Sequence, residues 1–147
     1  MDEEAAIDRG LREVQRLAPA AADAEERATL EAYRGALVTL RARHAFWPRQ
    51  KLRHVREGLA VLDAVVAAHP RHAEARYLRL VSCYYLPRFL GRGWSVREDF
   101  ARLGALLPSV RGRYPRDLYA AITRFVLDHG RPSPEVRRAL EASLEGA

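Results

Sequence analysis

The histidines are the first residues whose spacing could support chemistry. His54 and Glu57 lie three residues apart, as do His69 and His72, and that spacing places two metal ligands on one face of a helix. Pro70 interrupts the second pair, so its members need not share a face. The only residues that could act as a third ligand are Asp63 and Cys83. The many arginines around them would also repel a divalent cation. The sequence therefore predicts no metal site.

The single cysteine and the known catalytic motifs give no stronger signal. Cys83 lies between Ser82 and Tyr84 in a helical pattern, with no histidine placed to act as its base, so we interpret it as a small buried residue. The chain has no phosphate-binding loop, no dinucleotide-binding glycine motif and no nucleophile elbow. We therefore expect a protein that is not an enzyme and has no cofactor.

Arginine is the residue type that could act most strongly at the surface. The chain contains 24 arginines and one lysine, and residues 41–116 hold sixteen basic against five acidic side chains. These arginines form either an anion-binding patch or solvated helix faces that the acidic N-terminal helices partly neutralise. A patch would bind an acidic protein or peptide. Nucleic acid is the less favoured ligand, because no recognition motif for it is present.

Aromatic residues stand beside the arginines at the predicted helix ends. Phe46, Trp47, Phe89 and Trp94 lie either at the edge of the core or in a binding surface, since exposed tryptophan beside arginine is typical of interaction hot spots. We predict that a groove beside the third to fifth helices, rimmed by four arginines, is the binding surface. The candidate partner-binding residues are Trp47, Arg49, Arg53, Arg76, Arg79 and Trp94.

Seven amphipathic helices are expected to position these side chains. Alanine, leucine, arginine and glutamate are all frequent and all favour helix, and apolar residues recur at intervals of three and four. The connections are short and no segment has a strand pattern, so we expect an all-α chain of antiparallel helical hairpins. The predicted helices cover about residues 3–18, 24–46, 50–68, 73–86, 96–107, 115–129 and 134–144.

Local patterns predict how two of these helices begin and which side of one faces the core. Asp23 with Glu26, and Ser95 with Glu98, have the spacing of capping boxes, in which the first residue caps the helix and the second bonds back to it. The residues expected to face the core in the second helix are Leu30, Tyr33, Leu37, Leu40 and His44.

Residues 57–85 resemble the second helix of a tetratricopeptide repeat followed by the first helix of the next. Gly58, Leu62, Val65 and Pro70 stand where that family has a small residue, a bulky residue, a second small residue and a proline, although alanine is usual at Val65. No second full period fits the chain. The chain is also similar to small bacterial proteins grouped as tetratricopeptide-like. The resemblance implies a right-handed stack or bundle whose concave face binds protein or peptide segments.

Length and composition fit one helical domain over residues 1–147, with 48% hydrophobic residues to build its core. The acidic start and the lack of a long apolar stretch lead us to expect a cytoplasmic protein without a membrane span. We predict a non-catalytic protein-interaction module. The alternative is a homodimer that associates through Val61, Val65 and Leu144, and a nucleic-acid-binding protein is the least favoured reading.

Overall fold

The computed structural model describes residues 2–146 and confirms the all-α class. Within that range the chain forms seven α-helices, joined by short turns and 3-10 segments, and contains no strand. The helices are α1 (Glu3–Leu17), α2 (Ala24–Leu40), α3 (Pro48–Ala68), α4 (Ala73–Tyr84), α5 (Gly93–Val110), α6 (Arg116–His129) and α7 (Pro134–Glu145).

Short polar residues cap the starts of α2 and α7, and the first of these caps confirms the prediction at Asp23. The Asp23 carboxylate accepts a hydrogen bond from the backbone N–H of Glu26 at 2.9 Å, and the Glu26 carboxylate accepts one from the N–H of Ala22 at 2.7 Å. Ser133 accepts from the N–H of Val136 at the start of α7. These bonds satisfy N–H groups that have no partner within the first turn of a helix.

Three helix boundaries differ from the prediction by three residues or more, one of them the end of α5, which lies at Val110 rather than near residue 107 and so includes Pro108. Helix α2 ends at Leu40 rather than near residue 46, because a 3-10 turn over Arg41–Arg43 leads to the extended backbone that must precede Pro48. The predicted cap at Ser95 is wrong: α5 begins at Gly93, with Arg92 at the N-cap. Ser95 is buried in the first turn, and its hydroxyl donates to the Arg92 carbonyl at 3.1 Å.

The described chain divides into two compact units, residues 1–82 and 83–147, and the division falls in the last turn of α4. The first unit contains α1, α2, α3 and most of α4. The second contains the end of α4 with α5, α6 and α7. The expectation of a single domain over residues 1–147 stays a prediction, as does the tetratricopeptide-like stack.

The closest helix approach in the first unit joins α2 and α3 at two glycines. A Cβ on Gly58 would lie 2.5 Å from the Gly35 carbonyl oxygen and 2.0 Å from the Thr39 hydroxyl. Only residues without a side chain allow the two backbones to come this close. Small residues consequently form the most buried face of α2, namely Ala28, Ala32, Gly35, Ala36 and Thr39.

The predicted inward stripe of α2 is therefore only partly correct. Leu40 is exposed, and the other four members of the stripe are half-buried. Leu37 packs on α1, since a Cβ on Gly10 would lie 3.1 Å from it. The C-terminal end of α2 is also bound to α1 by the ion pair of Arg41 with Asp8, at 3.0 Å. Helix α2 thus packs on α1 through the face that carries Leu37, and on α3 through its face of small residues.

Polar side chains tie the start of α4 to α2. The His72 Nδ1 accepts from the N–H of Ala75 at 3.1 Å, and its Nε2 lies 2.8 Å from the Thr29 hydroxyl. The Tyr33 hydroxyl donates to the buried Glu74 carboxylate. Burial, followed by this hydrogen bond and the charge of Glu74, raises the pKa of Tyr33.

The second unit has an aliphatic core formed by α5, α6 and α7. Its members are fully or almost fully buried, and they lie at helical spacing on each element. Gly104 brings α5 close to α7, because a Cβ there would lie 3.1 Å from Val136. The largest of these core side chains are Leu103, Leu107, Ile122, Val126 and Leu140.

Candidate functional site

Two of the four arginines expected to rim a groove are buried instead. Arg76 and Arg79 are only 4% and 3% exposed. The Arg79 guanidinium pairs with the Asp63 carboxylate on α3 at 3.1 Å, and Arg76 Nε donates to the Pro70 carbonyl at 2.7 Å. Both side chains tie α4 to the chain before it. The predicted accessible rim is therefore wrong at these two positions.

The other predicted residues of the first unit lie together at the start of α3. Trp47, Arg49 and Arg53 are exposed, and Arg53 has only a long ion pair, 3.9 Å, with Glu57 one turn away. Trp47 packs edge to face on Phe46, which is also exposed, with ring centroids 5.0 Å apart. We call these residues the α3 corner: Phe46, Trp47, Arg49 and Arg53.

Trp94, the remaining predicted residue, belongs to a different and larger exposed surface in the second unit. Pro87 follows the end of α4, a 3-10 turn covers Arg88–Leu90, and Gly91 has a φ of 71°. Glycine adopts that left-handed conformation without strain, and α5 begins two residues later. We call the side chains displayed by this turn and its flanks the arginine–aromatic surface: Tyr85, Arg88, Phe89, Arg92, Trp94 and Arg97.

The arginine–aromatic surface combines exposed rings with a single sign of charge. Phe89 is 84% exposed, Tyr85 74% and Trp94 49%. The Arg92 guanidinium lies 4.8 Å from the centroid of the Trp94 ring, within the range of a cation–π interaction. No acidic residue occurs between positions 75 and 97. A cluster of exposed rings among arginines marks an interaction site more often than a solvated face does.

Tyr84, next to this surface, anchors the end of α4 in the second unit. Its ring meets Phe100 of α5 and Phe125 of α6 edge to face, with centroids 5.9 Å and 5.4 Å away. Its hydroxyl lies 3.3 Å from His129 Nδ1. Because Tyr84 faces inward, the following Tyr85 faces solvent, and the packed ring cluster gives the arginine–aromatic surface a fixed base.

The sequence identified Trp94 and left Phe89 open between core edge and binding anchor, but it missed Tyr85. Tyr85 directly follows Tyr84, which belongs to the apolar stripe of α4. Helical periodicity alone therefore predicts that the Tyr85 side chain lies near the core and is not exposed. The signal that could have identified it is the unbroken absence of acidic residues from position 75 to 97.

Two of the three residues expected to support self-association line one groove of the first unit. Val61 and the buried Val65 both line a shallow groove of about 530 Å³ along α2 and α3, whose wall also includes Ala60 and Ala64. Leu144 is half-buried in α7 and borders a cavity of the second unit. The self-association alternative stays a prediction.

Among residues 2–146, no three histidine, cysteine, aspartate or glutamate side chains are grouped closely enough to hold a metal ion. Over the same range, every helix is too short or too polar to cross a bilayer. Comparison with known proteins gives no match: no family model, no curated protein and no solved structure is similar to this chain.

Proposed function

We propose that this protein is a non-catalytic protein-interaction module of tetratricopeptide-like type, and that its arginine–aromatic surface binds an acidic segment of a protein partner. The observation that supports this most directly is the exposure of Phe89, Tyr85 and Trp94 in a segment that also carries Arg88, Arg92 and Arg97. The rings provide apolar contact area with few rotatable bonds. The guanidiniums provide paired donors for carboxylates.

An acidic protein segment fits this surface better than nucleic acid does. Tryptophan, tyrosine and arginine are the residue types most enriched among the hot spots of protein interfaces, and all three occur within positions 85–97.

The tetratricopeptide-like character draws support from α3. Of the four residues that carry the resemblance, Gly58, Leu62 and Val65 are buried, and Pro70, which follows the helix, is exposed. Gly58 is also the point where α2 and α3 approach most closely. A small residue at the tightest crossing is what the repeat pattern requires of that position. The stacking of successive helix pairs remains part of the proposal.

A binding experiment with charge-matched variants tests the proposal. The probe is a labelled peptide rich in glutamate that also contains leucine and phenylalanine, and fluorescence anisotropy measures its affinity. We expect the double variant R88E/R97E to bind about tenfold or more weakly, and Phe89→Ser to weaken binding without a change of charge. The control variant R12E/R138E changes the same number of exposed arginines elsewhere and should bind as the native protein does.

Other outcomes would contradict the proposal in identifiable ways. An equal loss in R12E/R138E would mean that affinity follows net charge alone. A loss confined to R49E/R53E would move the binding surface to the α3 corner. Tighter binding of a single-stranded RNA would favour the nucleic-acid alternative, and a mass by light scattering of twice the monomer at every concentration would favour the homodimer.

A further inference from the structure

A polar cavity in the second unit lies apart from the arginine–aromatic surface in sequence. Its volume is about 870 Å³, within the range of cavities that hold small molecules. It is bounded by the end of α5 and the turn after it, by the first half of α6, and by the end of α7. The charged and aromatic side chains that line it are Arg111, Tyr114, Arg116, Asp117, Tyr119, Arg124 and Glu145.

Three arginines converge on this cavity from two elements. Arg116 and Arg124 are eight residues apart on α6, with Ala120 between them in the same lining, so they stand on one helix face above a small residue. Arg111 comes from the 3-10 turn after α5. Its guanidinium extends to the last turn of α7, since a Cβ on Gly146 would lie 2.9 Å from Arg111 Nη1.

These three arginines, like several exposed arginines elsewhere, have no close counterion among residues 2–146. No ion pair within 4.0 Å joins Arg111, Arg116 or Arg124 to another residue of the part that the structure describes. The lining has three positive and two negative side chains, so its net charge is positive and favours an anion.

The inner wall of the cavity is fixed by its own hydrogen bonds. The hydroxyl oxygen of Tyr119, which is buried, lies 3.1 Å from the Leu107 carbonyl oxygen and 2.8 Å from Ser143 Oγ, and its one proton is donated to either of these acceptors. Ser143 in turn donates to the Leu140 carbonyl at 2.7 Å. These bonds link α5, α6 and α7 across the back of the cavity. A preformed wall lowers the ordering cost of binding.

We propose that this cavity binds a small oxyanion with at least two negative charges, a phosphate-bearing or a multiply carboxylated molecule. The guanidiniums of Arg111, Arg116 and Arg124 supply paired donors to its oxygens. The Asp117 and Glu145 carboxylates also line the cavity and can accept hydrogen bonds from hydroxyl groups of a larger ligand. This inference is independent of the proposed partner surface.

Calorimetric titration of the full chain tests the site, with inorganic pyrophosphate and citrate as probes at low salt. We expect one of them to bind, and the neutral variants Arg116→Gln and Arg124→Gln each to bind about tenfold more weakly, because a charged hydrogen bond is lost. Binding of pyrophosphate alone identifies a phosphate ligand, and binding of citrate alone a carboxylate ligand. The matched control is Arg138→Gln, an exposed arginine of α7 outside the cavity lining.

A second measurement locates the bound probe. In ¹⁵N-labelled protein the amide signals of Tyr114 and Ser143 should shift on titration, while those of the α3 corner should not. Unfolding temperatures equal to that of the native protein would show that the exposed Arg116 and Arg124 variants remain folded. The proposal is overturned if neither probe binds, if Arg138→Gln weakens binding as much, or if the shifted amides lie outside the cavity.

Discussion

At the scale of single residues, the contact of α2 with α3 depends on the missing side chain of Gly58. We expect Gly58→Ala to lower the free energy of unfolding by about 1–3 kcal/mol or more, as overpacked cores do, because the new Cβ would lie 2.0 Å from the Thr39 hydroxyl. Urea denaturation measures the change. Gly112→Ala is the control, since no atom lies within 4 Å of its Cβ position, and it should be nearly neutral.

The predicted arginine rim separates, residue by residue, into buried and solvated side chains. Arg79→Ala removes a buried guanidinium and leaves Asp63 without its ion pair. We expect the free energy of unfolding to fall by about 2–3 kcal/mol. Breaking a fully buried ion pair costs about 3–5 kcal/mol, and the cost is smaller here because Asp63 is partly solvated. Arg53→Ala removes only the long, exposed pair with Glu57, which should cost about 0–1 kcal/mol. Equal losses in thermal unfolding would contradict this distinction.

Tyr33 makes stability depend on pH in the alkaline range. Burial and the hydrogen bond to Glu74 raise its pKa in the folded chain, so the unfolded chain loses the phenolic proton first. The free energy of unfolding should therefore fall as pH rises above about 10, the ordinary tyrosine value. Tyr33→Phe should reduce that fall. The exposed Tyr85 supplies the control Tyr85→Phe, which should show the same pH profile as the native protein.

At the scale of elements, the start of α4 depends on His72 as its cap. Nδ1 accepts from the N–H of Ala75, while the Thr29 hydroxyl donates to the Glu25 carbonyl at 3.0 Å and so receives the His72 Nε2–H. We expect His72→Ala to destabilise the fold by about 0.5–2 kcal/mol in urea, and His72→Asn, another capping residue, to restore part of that loss. Equal stability of the two variants would argue against the cap.

The helices were largely predictable from the sequence because their determinants are local. Asp23, Ser133 and the prolines act within one turn, so the helix count and most ends follow from spacing. The buried faces depend on partners distant in sequence. Nothing near Arg79 indicates that Asp63 of α3 will pair with it, and nothing near Leu37 indicates that two glycines will make the opposite face of α2 the more buried one.

The candidate sites were likewise predictable only where their residues are neighbours in the sequence. Trp47, Arg49 and Arg53 were predictable as a group because they are neighbours at one helix start, and Trp94 because tryptophan beside arginine is distinctive. The cavity of the second unit was not predictable. The packing of α5, α6 and α7 brings Arg111, Arg116 and Arg124 into the lining of the same cavity. A helical pattern in the sequence does not indicate which arginines will line one cavity.

At the scale of the whole molecule, helix α4 belongs in part to each of the two compact units. Helix α4 is continuous across the division, and its last residue, Tyr84, packs on Phe100 and Phe125 of the second unit. Its first turn is bound to α2 through His72 and Glu74. Unfolding of either unit would leave one end of this helix without partners, and a helix of its length is marginal alone.

We therefore expect the two units to unfold together. Hydrogen exchange followed by mass spectrometry at increasing urea concentration reports on each unit separately, through peptides from α3 and from α6. Both peptides should lose protection at the same urea concentration, because a cooperative domain opens as one unit. Loss of protection in one peptide at clearly lower urea would show two independent domains, and α4 would then be a linker rather than a shared element of one core.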